Sequence, residues 1–399
     1  MQRVFITAAG VICPCAFSMS ELFDSIENRK SGIRAISRFD SSRLATRFAG
    51  EIDFEKLVKP QNDDNLFVSS HFEAKLLIAW NALRQITGGL PGNTSLISTV
   101  GLERVDEKAL VQNDPGKFPV CPEIPLVLLP GILWKSLGCS GSVYIQAAAC
   151  SASLIAIGTA YRQIKAANAD LIVAGGVDSL IFPFGINSFN SLSALSERND
   201  LGAAAIAPFD KNRSGTLLGE AGAYLVIESE KSAIERNVRP IAEIIGFGAS
   251  MDAYHPVKPR PDGDGPARAM FSAISDANVS ADQIGYVNAH GTGTSHNDIM
   301  EFKALEKVFG NRSREIPVSS LKPYFGHTLT ASGALETVAS CIVFERGIIP
   351  PTLNFQTPDP EIPINCVSNL PQKLFTDIIM KNSYSLGGQN ASIILKRVG

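Results

Sequence analysis

The chain predicts an α/β fold with parallel-type sheets, and three observations carry the prediction. Short apolar runs such as LIVAGGV (171–177) carry no charge and read as strands buried on both faces. Helical stretches alternate with them. A charged break near residues 230–240 separates two stretches that begin alike, since 3–10 and 241–248 are both β-type runs reaching a glycine.

Residues 3–11 read as the first strand. Residues 18–28 read as a helix, with Ser18 as cap and Glu21 three positions on. Segment 31–53 is irregular, 71–87 has helical periodicity, 88–93 is a Gly/Pro loop and 94–100 a strand. Segment 113–128, dense in proline, is not regular. The run 143–150 reads as a buried strand and 151–160 as an Ala-rich helix. Beyond 171–177, residues 217–229 end in a strand, 231–237 form a short charged helix and Pro240 opens a strand at 241–249. The apolar run 284–287 is a further strand, and 328–343 a helix rich in Ser, Ala and Gly.

The 399 residues are 45% hydrophobic and 19% charged, enough for a large core and about two or three domain-sized units. A net charge of −3 gives no global argument for nucleic acid or an anionic membrane. The seven cysteines are scattered without metal-type pairing, and Cys13-Pro14-Cys15 is not a CxxC site. This usage points to a reducing, cytoplasmic setting and to no metal. The apolar N-terminus lacks the h-region of a secretory signal. The uncharged stretch 143–161 is dominated by Ala, Ser and Gly, and reads as strand plus helix rather than a membrane span.

Four pieces could carry chemistry. Cys150 lies at the strand-to-helix turn, where helix N–H groups and the macrodipole favour thiolate, so its pKa is expected to fall; a space-filling buried Cys is the plain alternative. Asn288-Ala-His-Gly-Thr-Gly-Thr-Ser-His-Asn-Asp298 begins at a strand end. It presents His290 with the hydroxyls of Thr292 and Thr294, in a glycine spacing that is neither GxGxxG nor a P-loop. Leu321-Lys-Pro-Tyr-Phe-Gly-His327 sets Lys322 five residues before a second histidine, and a nearby cation would keep an imidazole neutral. Lys322, if buried, needs a carboxylate, for which Glu301 and Asp298 are the nearest candidates. Asn382-Ser-Tyr-Ser-Leu-Gly-Gly-Gln-Asn-Ala-Ser392 can aim backbone N–H groups at a ligand or be a plain hairpin. Cys150 and His327 each precede a small-residue helix; two similar halves facing each other would bring these loops together, and coincidence is the plain alternative, since small-residue helices are common.

These residues, together with RVFITAAGVICP, Lys-Ser-Gly-Ile-Arg at 30–34 and PFDKNRSGTLLGEAGA (208–223), resemble the beta-ketoacyl-acyl-carrier-protein synthases over nearly the whole chain. The resemblance implies a thiolase-like fold: two pseudo-symmetric α/β halves, 1–235 and 236–399, forming a layered αβαβα core. It also implies decarboxylative Claisen condensation of a Cys-bound acyl group with malonyl-acyl-carrier protein, in fatty acid, polyene or polyketide synthesis. By resemblance Cys150 is the nucleophile, and His290 and His327 bind the malonyl thioester and stabilise its enolate. Lys322 supports the second histidine, Glu301 pairs with Lys322, and Asp298 belongs to the same network. Thr292 and Thr294 hold the phosphopantetheine arm, and the N–H groups of Cys150 and Leu386 form the oxyanion hole. No cofactor is implied beyond that carrier-borne phosphopantetheine. The implied partners are an acyl carrier protein and a like or related ketosynthase subunit in a homodimer or heterodimer.

Three departures stand out. Ala149 replaces a frequent Thr, Pro323 follows Lys322 where Ser or Thr is usual, and Leu386 occupies the place of an aromatic gate. Residues 96–136 match the family poorly. The competing readings are a non-elongating, chain-length-factor-like partner subunit, which typically lacks the nucleophile this chain keeps, and a thiolase or coenzyme-A-dependent synthase of the same fold; two His with a Lys five residues before the second favour the carrier-protein type, and a thiolase would carry a second catalytic Cys in a motif that Cys366 lacks.

Overall fold

The computed structural model describes residues 2–59, 72–101 and 128–399. Ten strands form the main sheet: β1 Val4–Ile12, β2 Ser95–Val100, β3 Val143–Ile145, β4 Leu171–Asp178, β5 Ala221–Ser229, β6 Ala242–Met251, β7 Tyr286–Asn288, β8 Val318–Ser319, β9 Ile378–Tyr384 and β10 Gln389–Lys396. Their spatial order is β8-β7-β9-β10-β6-β1-β5-β4-β2-β3. Five strands on each side of the β1–β6 junction repeat one pattern of directions. From each outer edge inward come two parallel pairings and then two antiparallel ones.

The all-parallel expectation therefore holds only for the outer strands. β9 and β10 are joined by the short turn through Gly387 and Gly388, and so tight a connection permits only antiparallel pairing. β4 keeps the buried character expected of LIVAGGV, yet pairs parallel with β2 and antiparallel with β5.

The layering follows from where apolar faces meet. Helix Phe72–Thr87 covers one face of β1, β4 and β5, and helix Asp264–Ala277 covers the outer face of β6 and β10. Between the two halves lie α1 (Ala152–Lys165) and α2 (Ser332–Ser340), which pack on each other and on strands of both. Every residue of α2 is buried, so its Ser, Ala and Gly side chains are the small volumes that close helix–helix contact demands. Leu154 touches the spot where a side chain at Gly333 would lie, leaving no room for one. The result is the thiolase-like αβαβα sandwich.

Local signals in the sequence hold with small shifts. The first helix runs Met19–Glu27, capped by Ser18 Oγ, which accepts from Glu21 N–H, while Glu21 accepts from Phe17 N–H at 2.9 Å. The stretch 31–53 is irregular apart from a two-residue pairing of Arg34–Ala35 with Phe48–Ala49. The strand expected over 143–150 stops at Ile145, because the chain must turn to start α1. Residues 113–127 lie outside the described residues. Among the described residues, no helix is long and apolar enough to cross a membrane.

Candidate active site

The three reactive side chains are delivered by the two central helices and one strand end. Cys150 sits in the 3-10 turn Ala149–Ser151 that leads into α1. His327 precedes the corresponding 3-10 turn Leu329–Ala331 that leads into α2. Ala149 and Leu329, at equivalent places in these turns, both have positive φ, +43° and +49°. His290 follows β7 at the start of the loop 289–294. Cys150, His290 and His327 line one cavity of about 480 Å³, together with Thr292, Thr294 and Leu386.

The loop carrying His290 is held by two carboxylates on helix Ser295–Phe309. Glu301 accepts from the N–H groups of His290 and Gly291, both at 2.8 Å. Asp298 accepts from Phe209 N–H at 2.8 Å and Gly293 N–H at 3.2 Å. Both acids are fully buried, and burial raises both, Glu301 to about 7, against the pull of those N–H donors. Thr292 and Thr294 hydroxyls lie 2.9 Å apart, and Thr294 also caps the helix.

Lys322 pairs with neither Glu301 nor Asp298, contrary to the expectation. Its ammonium lies 2.8 Å from Glu336, donates to the carbonyl of His290 and lies 3.4 Å from His290 Nδ1. Of the two histidines it thus hydrogen-bonds the first, not the second. Glu336 also meets Lys381 at 2.6 Å, and all three side chains are completely buried. Each ion was visible as a lone charge in an apolar run, Glu336 in ASGALETVAS and Lys381 in IIMKNSY, and that signal could have found them. Pro323 does not disturb Lys322. It occupies the first turn of the short helix Lys322–Phe325, where its missing N–H is not needed, and its carbonyl accepts from Ser31 Oγ at 2.7 Å. Gly326 then turns with φ +79°, and a Cβ there would lie 2.6 Å from Leu218 O.

The imidazoles face each other edge to face, with centroids 5.3 Å apart. Burial, then Lys322, hold both pKa values well below the usual histidine range, so both rings are neutral. A lysine can only donate, so Lys322 against Nδ1 of His290 leaves the proton on Nε2. His327 Nδ1 is 3.1 Å from Ser332 Oγ. The site therefore offers neutral N–H donors rather than imidazolium acids.

Cys150 departs from expectation. It is embedded in an apolar cluster with Ile181, Phe182, Phe189 and Leu329, and Leu386 packs against that cluster. Burial pushes the thiol up to about 12, against the opposing pull of Lys322 and of the N–H groups of Leu386 and Cys150. Desolvation outweighs the helix terminus, so Cys150 rests as a thiol. Alkylation of Cys150 by iodoacetamide, read by intact mass against Cys150→Ala, is expected to rise about tenfold per pH unit from pH 7 to 10. A plateau near pH 8 would show that the helix terminus dominates instead.

Among the described residues, no cluster of His, Cys, Asp or Glu is arranged to hold a metal ion.

Residues 1–233 match the beta-ketoacyl synthase N-terminal domain and residues 241–356 the beta-ketoacyl synthase C-terminal domain. The chain is 34% identical to 3-oxoacyl-[acyl-carrier-protein] synthase 2 of Coxiella burnetii, over 100% of this chain and 99% of that protein. It is 31% identical to the tetracenomycin polyketide synthase ketoacyl synthase alpha subunit of Streptomyces glaucescens, over 99% and 97%. A type II polyketide ketosynthase, solved with its acyl-carrier protein and bound to the hexaketide, superposes with TM-score 0.87 at 28% identity, covering 100% of both chains. The ishigamide ketosynthase/chain length factor gives TM-score 0.86 at 29% identity, again over 100% of both. With its motifs, its fold and both domains matched, the chain belongs to the beta-ketoacyl synthase family and is a condensing enzyme of the decarboxylative Claisen type.

Proposed function

We propose that the chain runs an elongation cycle in which Cys150 carries the growing acyl group and His290 and His327 drive the malonyl half-reaction. The observation that carries this reading is one cavity holding a buried thiol, two neutral imidazoles and the N–H groups of Cys150 and Leu386 beside the sulfur. In the first step the Cys150 sulfur attacks the thioester carbonyl of an acyl carrier protein. The two backbone N–H groups take the oxyanion, and the pantetheine thiol leaves with the cysteine proton. In the second step malonyl thioester loses CO2. The enolate left behind is held by N–H donors of the two rings and is not protonated, because neither ring is an imidazolium. The enolate carbon then attacks the acyl–Cys150 carbonyl and expels the Cys150 thiolate, which takes a proton from water to restore the thiol. Apart from that water, every group this sequence uses is a side chain or backbone amide of the chain itself, so the reading calls for no cofactor beyond the carrier's phosphopantetheine arm, with Thr292 and Thr294 bordering its path.

Lys322, Glu301 and Asp298 act by positioning, through the contacts that fix His290 and its loop. Residues 1–235 and 236–399 are read as two halves, a division the repeated five-strand pattern supports. Partners are an acyl carrier protein and a second ketosynthase-like subunit, like or unlike, as the solved relatives with carrier protein or chain length factor suggest. The six described cysteines are free thiols, which fits a cytoplasmic setting. Retention of Cys150, His290 and His327 disfavours the non-elongating partner reading.

The test mixes the chain with acyl- and malonyl-carrier protein and follows products by mass. CO2 release with a product two carbons longer supports the reading. Absence of product from the chain, with or without a ketosynthase partner, overturns it.

A further inference from the structure

Lys381 is a buried ion beside the site to which the mechanism gives no task. It stands alone in the apolar strand IIMKNSY, with its side chain completely buried. In β9 it lies opposite Asn288, the last residue of β7, where the His290 loop leaves the sheet. From there its ammonium donates to the carbonyl of Ala289 at 3.4 Å and to that of Asn382, and meets Glu336 at 2.6 Å. Lys322 donates to the next carbonyl, that of His290, and takes the other Glu336 oxygen at 2.8 Å. Two ammonium groups bridged by one carboxylate thus hold two successive carbonyls, those of the peptide units on either side of the His290 N–H and Cα.

The charges do not balance. Lys322 and Glu336 alone would form a closed, neutral pair, and burying a third ion against that pair is costly. Lys381 leaves the group with one excess positive charge, shut off from water beside the His290 loop. Glu301 does not cancel it, because its carboxyl, raised to about 7 by burial, is only partly ionised at neutral pH. A charge in so dry a place acts strongly on its neighbours. This one opposes protonation of both imidazoles, alongside burial and Lys322. It also favours the negative charge that decarboxylation brings to the thioester oxygen between the two rings.

We propose that Lys381 is a positioning residue for the decarboxylation half-reaction: it clamps the Ala289 carbonyl that aims His290, and it supplies a second buried positive charge that keeps the imidazole pair neutral and favours the enolate. The inference rests on the ketosynthase reading and adds a residue to it. The other charged and titratable groups around the two rings and Lys381 are Lys322, Glu336, Glu301, Asp298, Tyr384 and Cys150. A substitution at Lys381 leaves all of them in the chain.

The experiment measures CO2 release from malonyl-carrier protein against pH for the wild type, Lys381→Met and Lys381→Gln, each loaded with acyl group beforehand. Loading, read by intact mass on the same preparation, shows that each variant is folded. Both variants are expected to release CO2 about three- to tenfold more slowly, a smaller loss than that of a donor touching the oxyanion. Their acid limb is expected to lie about one pH unit higher than in the wild type, because the imidazoles protonate more readily without the second cation. A merely structural lysine would lower the rate at every pH and leave the limb in place, and that result overturns the inference. So does an unchanged rate, or failure of both variants to load where the wild type loads, since a residue that serves decarboxylation does not govern loading. These three results leave the ketosynthase reading standing. Failure of the wild type itself to load or to release CO2 overturns that reading and the inference with it.

Discussion

His327→Ala protein is expected to accept an acyl chain onto Cys150 but to release CO2 from malonyl-carrier protein on the order of 10²–10³-fold more slowly, the effect of losing one donor to a developing oxyanion. The two half-reactions use different donors, which is why they separate. In the proposed mechanism acyl transfer relies on the N–H groups of Cys150 and Leu386, and these backbone donors survive the substitution. In the same proposal decarboxylation relies on the imidazole pair, 5.3 Å apart. Because both rings are held neutral well below the usual histidine range, the acid limb of decarboxylation in the wild type is expected below that range. Stopped-flow loading and CO2 release, measured on one preparation, check both statements. Equal loss of the two half-reactions would contradict the division of labour.

Glu336→Gln is expected to destabilise the fold by about 3–5 kcal/mol, because it leaves the buried ammonium groups of Lys322 and Lys381 without their shared counter-ion. Lys381→Met is expected to cost less, since it leaves the Lys322–Glu336 pair intact. Burial lowers Lys381 to about 8, against the opposing pull of Glu336. Its folded pKa lies below its unfolded value of about 10.4, so between those values the unfolded chain binds more protons and this group makes stability rise with pH. Urea unfolding at pH 8 and pH 10 should show that rise in the wild type and a smaller one in Lys381→Met. A smaller cost for Glu336→Gln than for Lys381→Met would contradict the shared-counter-ion account.

Much of the site was legible before the fold. Cys150, His290 and His327 each sit where an apolar run gives way to small residues or glycine, and strand ends and helix starts are where backbone can expose a reactive side chain. The repeated beginning of the two halves pointed to loops that converge, and the five-strand pattern around β1 and β6 brings them to one cavity. Pairings between distant segments were not legible. Lys322 finds Glu336 and not Glu301, because α2 turns its acid toward the Lys322 helix while Glu301 is occupied by two backbone N–H groups. The thiol pKa was misjudged because the sequence shows the helix start but not the apolar cluster around the sulfur.

The central claim is that Cys150 carries the acyl group. The most direct measurement is the intact mass of the chain after mixing with a panel of acyl-carrier proteins, beside Cys150→Ala. The account predicts a mass gain equal to the acyl group, absent from the variant. No gain with any donor, or the same gain in Cys150→Ala, would contradict it.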